Sequence, residues 1–170
     1  MTPPALILLL GDQLAVEQGA MTNARPGVES TRVAEVGEEA NYVRHNRHKI
    51  ALIFSAMRHC RDELRTRGFN VIYYRYEDGK ASLLEAVEAA LAVCNVGALR
   101  CCEPGEFRLL AEMRQWSLQV PLQIIPDDRF LATHDDFSDW MRGRKQLRME
   151  YFYRVMRRRY AILLDADDGP

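Results

Sequence analysis

Five short apolar runs punctuate the chain, at residues 5–10, 31–36, 70–76, 98–102 and 122–126. Each has strand length, and the first is unbroken in apolar residues, as befits a strand buried on both faces of a parallel sheet. Longer stretches of helical period separate them. Ile50, Ile53, Phe54, Met57, Cys60 and Leu64 recur at three- and four-residue steps, while Arg58, Arg61, Asp62 and Arg65 occupy the other face. Gly68 follows as a C-terminal cap would. Residues 82–93 and 106–118 read as two further helices, the second introduced by Pro104-Gly105. This alternation predicts an α/β fold: a Rossmann-like, doubly wound, parallel five-stranded sheet with helices on both faces.

Beyond residue 126 the pattern changes. Residues 135–141 predict a short helix and residues 146–160 a longer, strongly basic one, followed by a polar run at 165–170 with the character of a linker. The expected organisation is an α/β domain over residues 1–132, then a basic helical segment and linker over 133–170.

With 170 residues, nearly half of them hydrophobic, the chain can bury roughly 70% of its unfolded surface without a disulfide framework or a structural metal. The 23 basic and 24 acidic residues nearly cancel, which argues against nucleic-acid binding through overall charge. Cys60, Cys94, Cys101 and Cys102 form no CxxC pair, and adjacent strand residues point to opposite faces, so Cys101 and Cys102 cannot jointly grip one metal. Buried free thiols in a reducing compartment are expected. The apolar N-terminal run is too short for a signal peptide, and no stretch reaches membrane-spanning length. The expectation is a cytoplasmic protein with no membrane partner.

In an open α/β sheet, ligands bind beyond the carboxyl ends of the strands, where strand order reverses. Gly11-Asp12-Gln13-Leu14 follows the first strand, residues 35–42 the second, and Glu103-Pro104-Gly105-Glu106 the fourth. One glycine in the first segment makes neither a GxGxxG fingerprint nor a P-loop. Asp12 and Gln13 offer groups for the polar edge of a heterocycle, or Asp12 simply caps a turn. Glu35, Glu38 and Glu39 form either a solvated acidic turn or a set of acceptors for ring N–H and hydroxyl groups. His45 and His48 lack further ligands for a metal. Eight basic residues fall within positions 142–159, interleaved with Tyr151, Phe152 and Tyr153. They make either a phosphate-binding surface or a packed helix with solvated and salt-bridged arginines; the near-neutral total favours the second.

Several of these segments, taken in order, resemble the N-terminal part of bacterial photolyase-related proteins, the iron–sulfur class of the cryptochrome/photolyase family. The residues are Gly11-Asp12-Gln13-Leu14, Glu35-Val36-Gly37-Glu38-Glu39-Ala40-Asn41-Tyr42-Val43, Lys49-Ile50-Ala51 and Phe54-Ser55-Ala56-Met57-Arg58-His59. Further along come Glu103-Pro104-Gly105-Glu106-Phe107-Arg108, Gly143-Arg144-Lys145-Gln146-Leu147-Arg148-Met149-Glu150, and the block from Phe152 to Arg158. Asn46 and Cys60 depart from the pattern, which has a second histidine and an aromatic residue there.

The resemblance implies an antenna domain that holds 6,7-dimethyl-8-ribityllumazine through Gly11, Asp12, Gln13, Glu35 and Glu39, with Tyr42 lining the pocket and Ile53 packing against the ring. It implies a further helical domain carrying FAD and a 4Fe–4S cluster, which flips a lesion from damaged DNA in a light-driven, lyase-type repair. No catalytic residue is then expected in this chain itself. Arg148, Arg154, Arg157 and Arg158 would contact DNA or the FAD domain. The alternatives are a nucleic-acid-binding module acting through the basic helix and a generic nucleotide- or flavin-binding domain.

Overall fold

The computed structural model describes residues 4–164; the expected linker at 165–170 lies outside the described residues. Two compact units divide between Asp127 and Asp128.

The first unit is a five-stranded, wholly parallel sheet of β1 (Ala5–Leu8), β2 (Ser30–Ala34), β3 (Asn70–Tyr74), β4 (Ala98–Cys102) and β5 (Leu122–Ile125), in the order β3-β2-β1-β4-β5. The central strand β1 pairs Leu8 with Arg32 of β2 and with Cys101 of β4. Helices α1 (Gly37–Asn41) and α2 (Arg47–Thr66) lie between β2 and β3, α3 (Leu83–Leu91) between β3 and β4, and α4 (Phe107–Met113) between β4 and β5. Apart from β4, which ends with its run at Cys102, the strands end one or two residues earlier than their apolar runs, because those runs continue into the loops beyond the carboxyl edge.

Alternation along the strands splits the core in two. Leu6, Leu8, Ala34, Leu99 and Cys101 face α3 and α4, packing with Val87, Ala90, Leu109 and Met113. Ile7, Leu9, Val33 and Cys102 face α2, packing with Met57, Cys60 and Leu64. Cys101 and Cys102 thus enter opposite cores. Burial pushes the Cys60 thiol up to about 11 and that of Cys101 to about 12, so both stay protonated at neutral pH.

Helix α2 has defined ends. The Asn46 side chain accepts the His48 N–H at 2.8 Å. At the other end Gly68 (φ +86°) permits a Schellman turn, with Phe69 N–H donating to Leu64 O at 3.0 Å and Gly68 N–H to Arg65 O at 3.0 Å. No comparable helix joins β1 to β2. Positive φ at Gly19, Asn23 and Gly27 breaks that connection into a 3-10 turn over Gly19–Met21 and loops, yet Ala20 and Met21 still cover the α2-side core.

Arg32 is fully buried within the sheet. Its guanidinium stacks over the Tyr74 ring at 4.1 Å, while Nε and Nη2 have no hydrogen-bond partner among the described residues. Burial pushes it down to about 10, and the neighbouring Tyr74 and Cys94 oppose that fall, so it remains cationic at neutral pH.

The second unit carries α5 (His134–Met141) and α6 (Met149–Tyr160). Phe152 is buried against Phe137 and Trp140, with ring centroids 5.2 Å apart in each case. Thr133 and Asp136 form a reciprocal capping box at the start of α5. No helix among the described residues is long and apolar enough to cross a membrane.

Candidate functional site

A cavity of about 260 Å³ opens at the carboxyl edge of the sheet. It stands beside the switch point, where β1 is flanked by β2 and β4 and the crossovers change face. The strand ends supply Leu9, Leu10, Gly11, Asp12, Ala34 and Val36; α1 and the turn after it supply Glu39, Ala40, Tyr42 and His45. Helix α2 contributes Lys49, Ile50, Ile53, Phe54 and Met57, and the loop into α4 contributes Pro104, Gly105, Glu106 and Leu109. Most of the lining is aliphatic and aromatic, with Asp12, Glu39, Glu106, His45 and Lys49 supplying its charged and titratable side chains. Such a chamber suits a flat, polar-edged heterocycle.

Backbone fit sets the floor. A Cβ on Gly11 would meet Ile53 Cγ2 at 3.1 Å and Met57 Sδ at 3.4 Å, so any side chain there would push Ile53 aside, and glycine lets the β1 loop lie this close to α2 without that shift. A Cβ on Gly105 would stand 3.8 Å from an Asp12 carboxylate oxygen, which puts the loops after β1 and β4 face to face.

Of the residues singled out from the sequence, Gly11, Asp12, Glu39, Tyr42 and Ile53 line this one cavity. Gln13 and Glu35 do not. Gln13 is buried, and its Nε2 donates to Glu103 O at 2.8 Å, stitching the β1 loop to the end of β4. Its Oε1 is buried without a partner among the described residues. Glu35 is fully buried beneath the α1 turn. It accepts a bidentate pair from Arg58, at 2.7 and 2.8 Å, together with the Tyr73 hydroxyl and the Tyr76 N–H at 3.1 Å. Burial alone would raise its pKa, but the bonds from Arg58, Tyr73 and Tyr76 prevail and hold the carboxyl below its ordinary range.

Sequence reasoning did not single out Arg108. Its Nη2 donates to Glu39 Oε1 at 2.8 Å and to Glu106 Oε2 at 3.2 Å, and its guanidinium lies 4.5 Å from the Tyr42 ring centre. The Tyr42 hydroxyl donates to Glu106 Oε1 at 2.9 Å, and that bond raises its pKa. Hydrogen bonds to Glu39 and Glu106 likewise raise the pKa of Arg108 against its partial desolvation. The cluster ties α1 to α4 across the cavity and orients the Glu39 carboxylate. His45, Lys49 and Phe54 also escaped the sequence reading as cavity residues, since only the fold brings them to the cavity, whereas Glu106 belongs to the loop after the fourth strand that the sequence reading placed on the ligand side. In the second unit Arg154 pairs with Glu150 at 2.7 Å, Arg157 Nε donates to Ile162 O at 3.3 Å, and Arg148 lies 5.9 Å from the Tyr151 ring centre. Arg158 has no ion pair among the described residues. No group of acidic, histidine or cysteine side chains among the described residues could hold a metal ion.

Residues 7–170 match the family profile described as deoxyribodipyrimidine photo-lyase-related protein. The chain is also 40% identical, over 166 residues, to a (6-4) photolyase of Agrobacterium fabrum (strain C58). That alignment covers 95% of this chain and 33% of the relative, so the chain spans about a third of the length of the curated protein it matches. The cavity with its Gly11-Asp12 floor, the Glu35-to-Tyr42 segment and the helices that enclose it all fall within the matched residues. The chain belongs to the deoxyribodipyrimidine photo-lyase-related protein family.

Proposed function

We propose that this chain is the antenna-chromophore domain of a light-driven, photolyase- or cryptochrome-like flavoprotein, and that its cavity takes 6,7-dimethyl-8-ribityllumazine. The observation that carries the reading is the convergence of Gly11, Asp12, Glu39, Tyr42 and Ile53 on a single chamber at the strand ends. Ile50, Ile53, Phe54 and Met57 form an apolar wall for the ring faces. Asp12 and Glu39 stand at its edge as acceptors for ring N–H and ribityl hydroxyl groups. When bound, the lumazine would absorb blue light and pass the excitation to a flavin. Within this proposal FAD, a 4Fe–4S cluster and damaged DNA belong to a further domain of the whole protein, and the basic segment at 142–159 serves DNA or interdomain contact.

The residues of this chain would bind and orient the ring and keep water from its faces. Arg108 fixes Glu39 in place and thereby the direction of its acceptor oxygens. The test is fluorescence titration of the purified chain with the lumazine. Binding should be abolished by Ile53→Trp, which fills the chamber, and weakened about tenfold by Glu39→Ala, the effect of losing one hydrogen bond to a charged group. Failure of the unaltered chain to bind, or undiminished binding by Ile53→Trp, would overturn the reading.

A further inference from the structure

Arg32 carries a charge that the first unit leaves without a carboxylate. It stands mid-strand on β2, in register with Leu8 of β1 and Ile72 of β3, both packed in the core that faces α3 and α4. Its side chain is fully buried there. Nη1 has the Val33 carbonyl at 3.5 Å, while Nε and Nη2 have no acceptor among the described residues. These two nitrogens form one edge of the guanidinium, the same edge that Arg58 turns toward Glu35 to donate at 2.7 and 2.8 Å. In Arg58 that edge meets a carboxylate; in Arg32 it meets none. The Tyr74 ring, 4.1 Å from the Arg32 guanidinium, offers its face to Lys80 as well, at 5.4 Å. Lys80 has Glu85 at 3.2 Å as its counter-charge, whereas the ionisable neighbours of Arg32 are Tyr74 and Cys94. A guanidinium taken out of water without a counter-charge is strongly unfavourable, and a trapped water would satisfy its N–H groups but leave the charge.

We infer that the Nε–Nη2 edge of Arg32 is a binding site for a small monovalent anion of chloride size, held inside the first unit on the α3 side of the sheet. Two parallel N–H groups can hold one halide between them, as they hold the two oxygens of a carboxylate. A multivalent or bulky anion matches the position poorly, because one guanidinium supplies a single positive charge and the side chain has no exposed face. Arg32 does not line the cavity at the strand ends. The anion site therefore stands or falls independently of the chromophore reading.

The experiment is thermal unfolding of the purified chain in mixtures of potassium chloride and potassium gluconate at fixed ionic strength. Once chloride exceeds its dissociation constant, each further tenfold increase should raise the midpoint by about 2–4 °C, the linkage expected of one site on a chain of this size. Arg32→Met keeps an unbranched side chain but removes the charge, and its midpoint should ignore the exchange of anions. A chloride dependence that survives in Arg32→Met would overturn the site, and so would an unaltered chain indifferent to chloride. Crystals of the unaltered chain soaked in bromide give a second reading that holds even if Arg32→Met does not fold. An anomalous-scattering peak is expected beside Nε and Nη2. A water there, with no anomalous signal, would overturn the assignment.

Discussion

Two stretches concentrate cations, residues 44–49 in the first unit and residues 142–159 in the second, and they hold them differently. In the second, Arg142 pairs with Asp139 at 3.3 Å, Arg154 with Glu150 at 2.7 Å and Arg159 with Asp136 at 2.5 Å. Arg144 donates to Trp140 O at 2.7 Å and stacks on its ring. The longer run of arginines is therefore largely engaged in internal ties. The shorter run has no acid within a helical turn and keeps its charge unpaired. Availability follows from which cations lack a nearby carboxylate, and the denser cluster is the less available one.

The same contrast extends to single pairs, and burial sets their scale. The Glu35–Arg58 pair has a fully buried acid, although the Arg58 side chain is 42% exposed. Glu35→Gln places an amide N–H₂ against the guanidinium and deprives the Tyr73 hydroxyl or the Tyr76 N–H of its acceptor. A loss of about 2 kcal/mol is expected in chemical denaturation, since buried groups are left unsatisfied while Arg58 can still reach water. The folded Glu35 carboxyl lies below its ordinary 4.5. Its contribution is therefore complete above about pH 4.5 and is lost as pH falls through the lowered folded value. The gap between wild type and Glu35→Gln should close in acid. A gap independent of pH would mean that Glu35 acts through packing and not through charge.

Glu35 also marks the limit of what the chain reveals before folding. The five strands, the sheet class and α2 with its Gly68 terminus were legible, because buried parallel strands and a long amphipathic helix impose strong periodicity. Helix α1, at five residues, is too short to show any. The β1–β2 connection carried too many glycine, asparagine and proline residues to announce that Ala20 and Met21 would still cover the sheet. For the site, Gly11, Asp12, Glu39, Tyr42 and Ile53 were nameable through the family resemblance. Glu35 and Glu39 look alike in sequence, but Arg58 lies one helix away from the first and Arg108 on α4 beside the second. Only tertiary structure separates a buried tie from a cavity wall. Arg32 was read simply as part of a strand, and nothing local signals that its charge lies wholly inside.

A smaller effect tests the internal ties of the second unit. Thr133→Ala removes the hydroxyl that accepts the Asp136 N–H at 3.1 Å, and the start of α5 should lose about 1 kcal/mol of local stability by amide exchange. Asp136 is held down at about 2 by Arg159 and by the Thr133 N–H and hydroxyl. Its support is present above the ordinary 3.8 and lost as pH falls through about 2. Carboxyl NMR titration should find that low midpoint in the wild type and a return toward 3.8 in Arg159→Ala. An unchanged midpoint would show that the tie between the two helices is not maintained in solution, and the second unit's arginines would then be as available as those at 44–49.

The smallest effect is expected where the two regions resemble each other most. Arg157 keeps only a 3.3 Å bond to Ile162 O, and Arg158 has no ion pair among the described residues. Replacing both with alanine should change stability by less than about 0.5 kcal/mol, as for surface positions in general. Duplex DNA discriminates more sharply than stability does. Each arginine that neutralises a phosphate contributes about 0.9 to the slope of log affinity against log salt, so two true contacts would lower that slope by about 2. We expect the slope measured with the purified chain to stay unchanged on double substitution. A drop of the full amount would reverse the comparison, making α6 the phosphate-reading surface despite its paired neighbours. Availability would then be set by two unpaired side chains on one helix turn, however many of the surrounding arginines are tied.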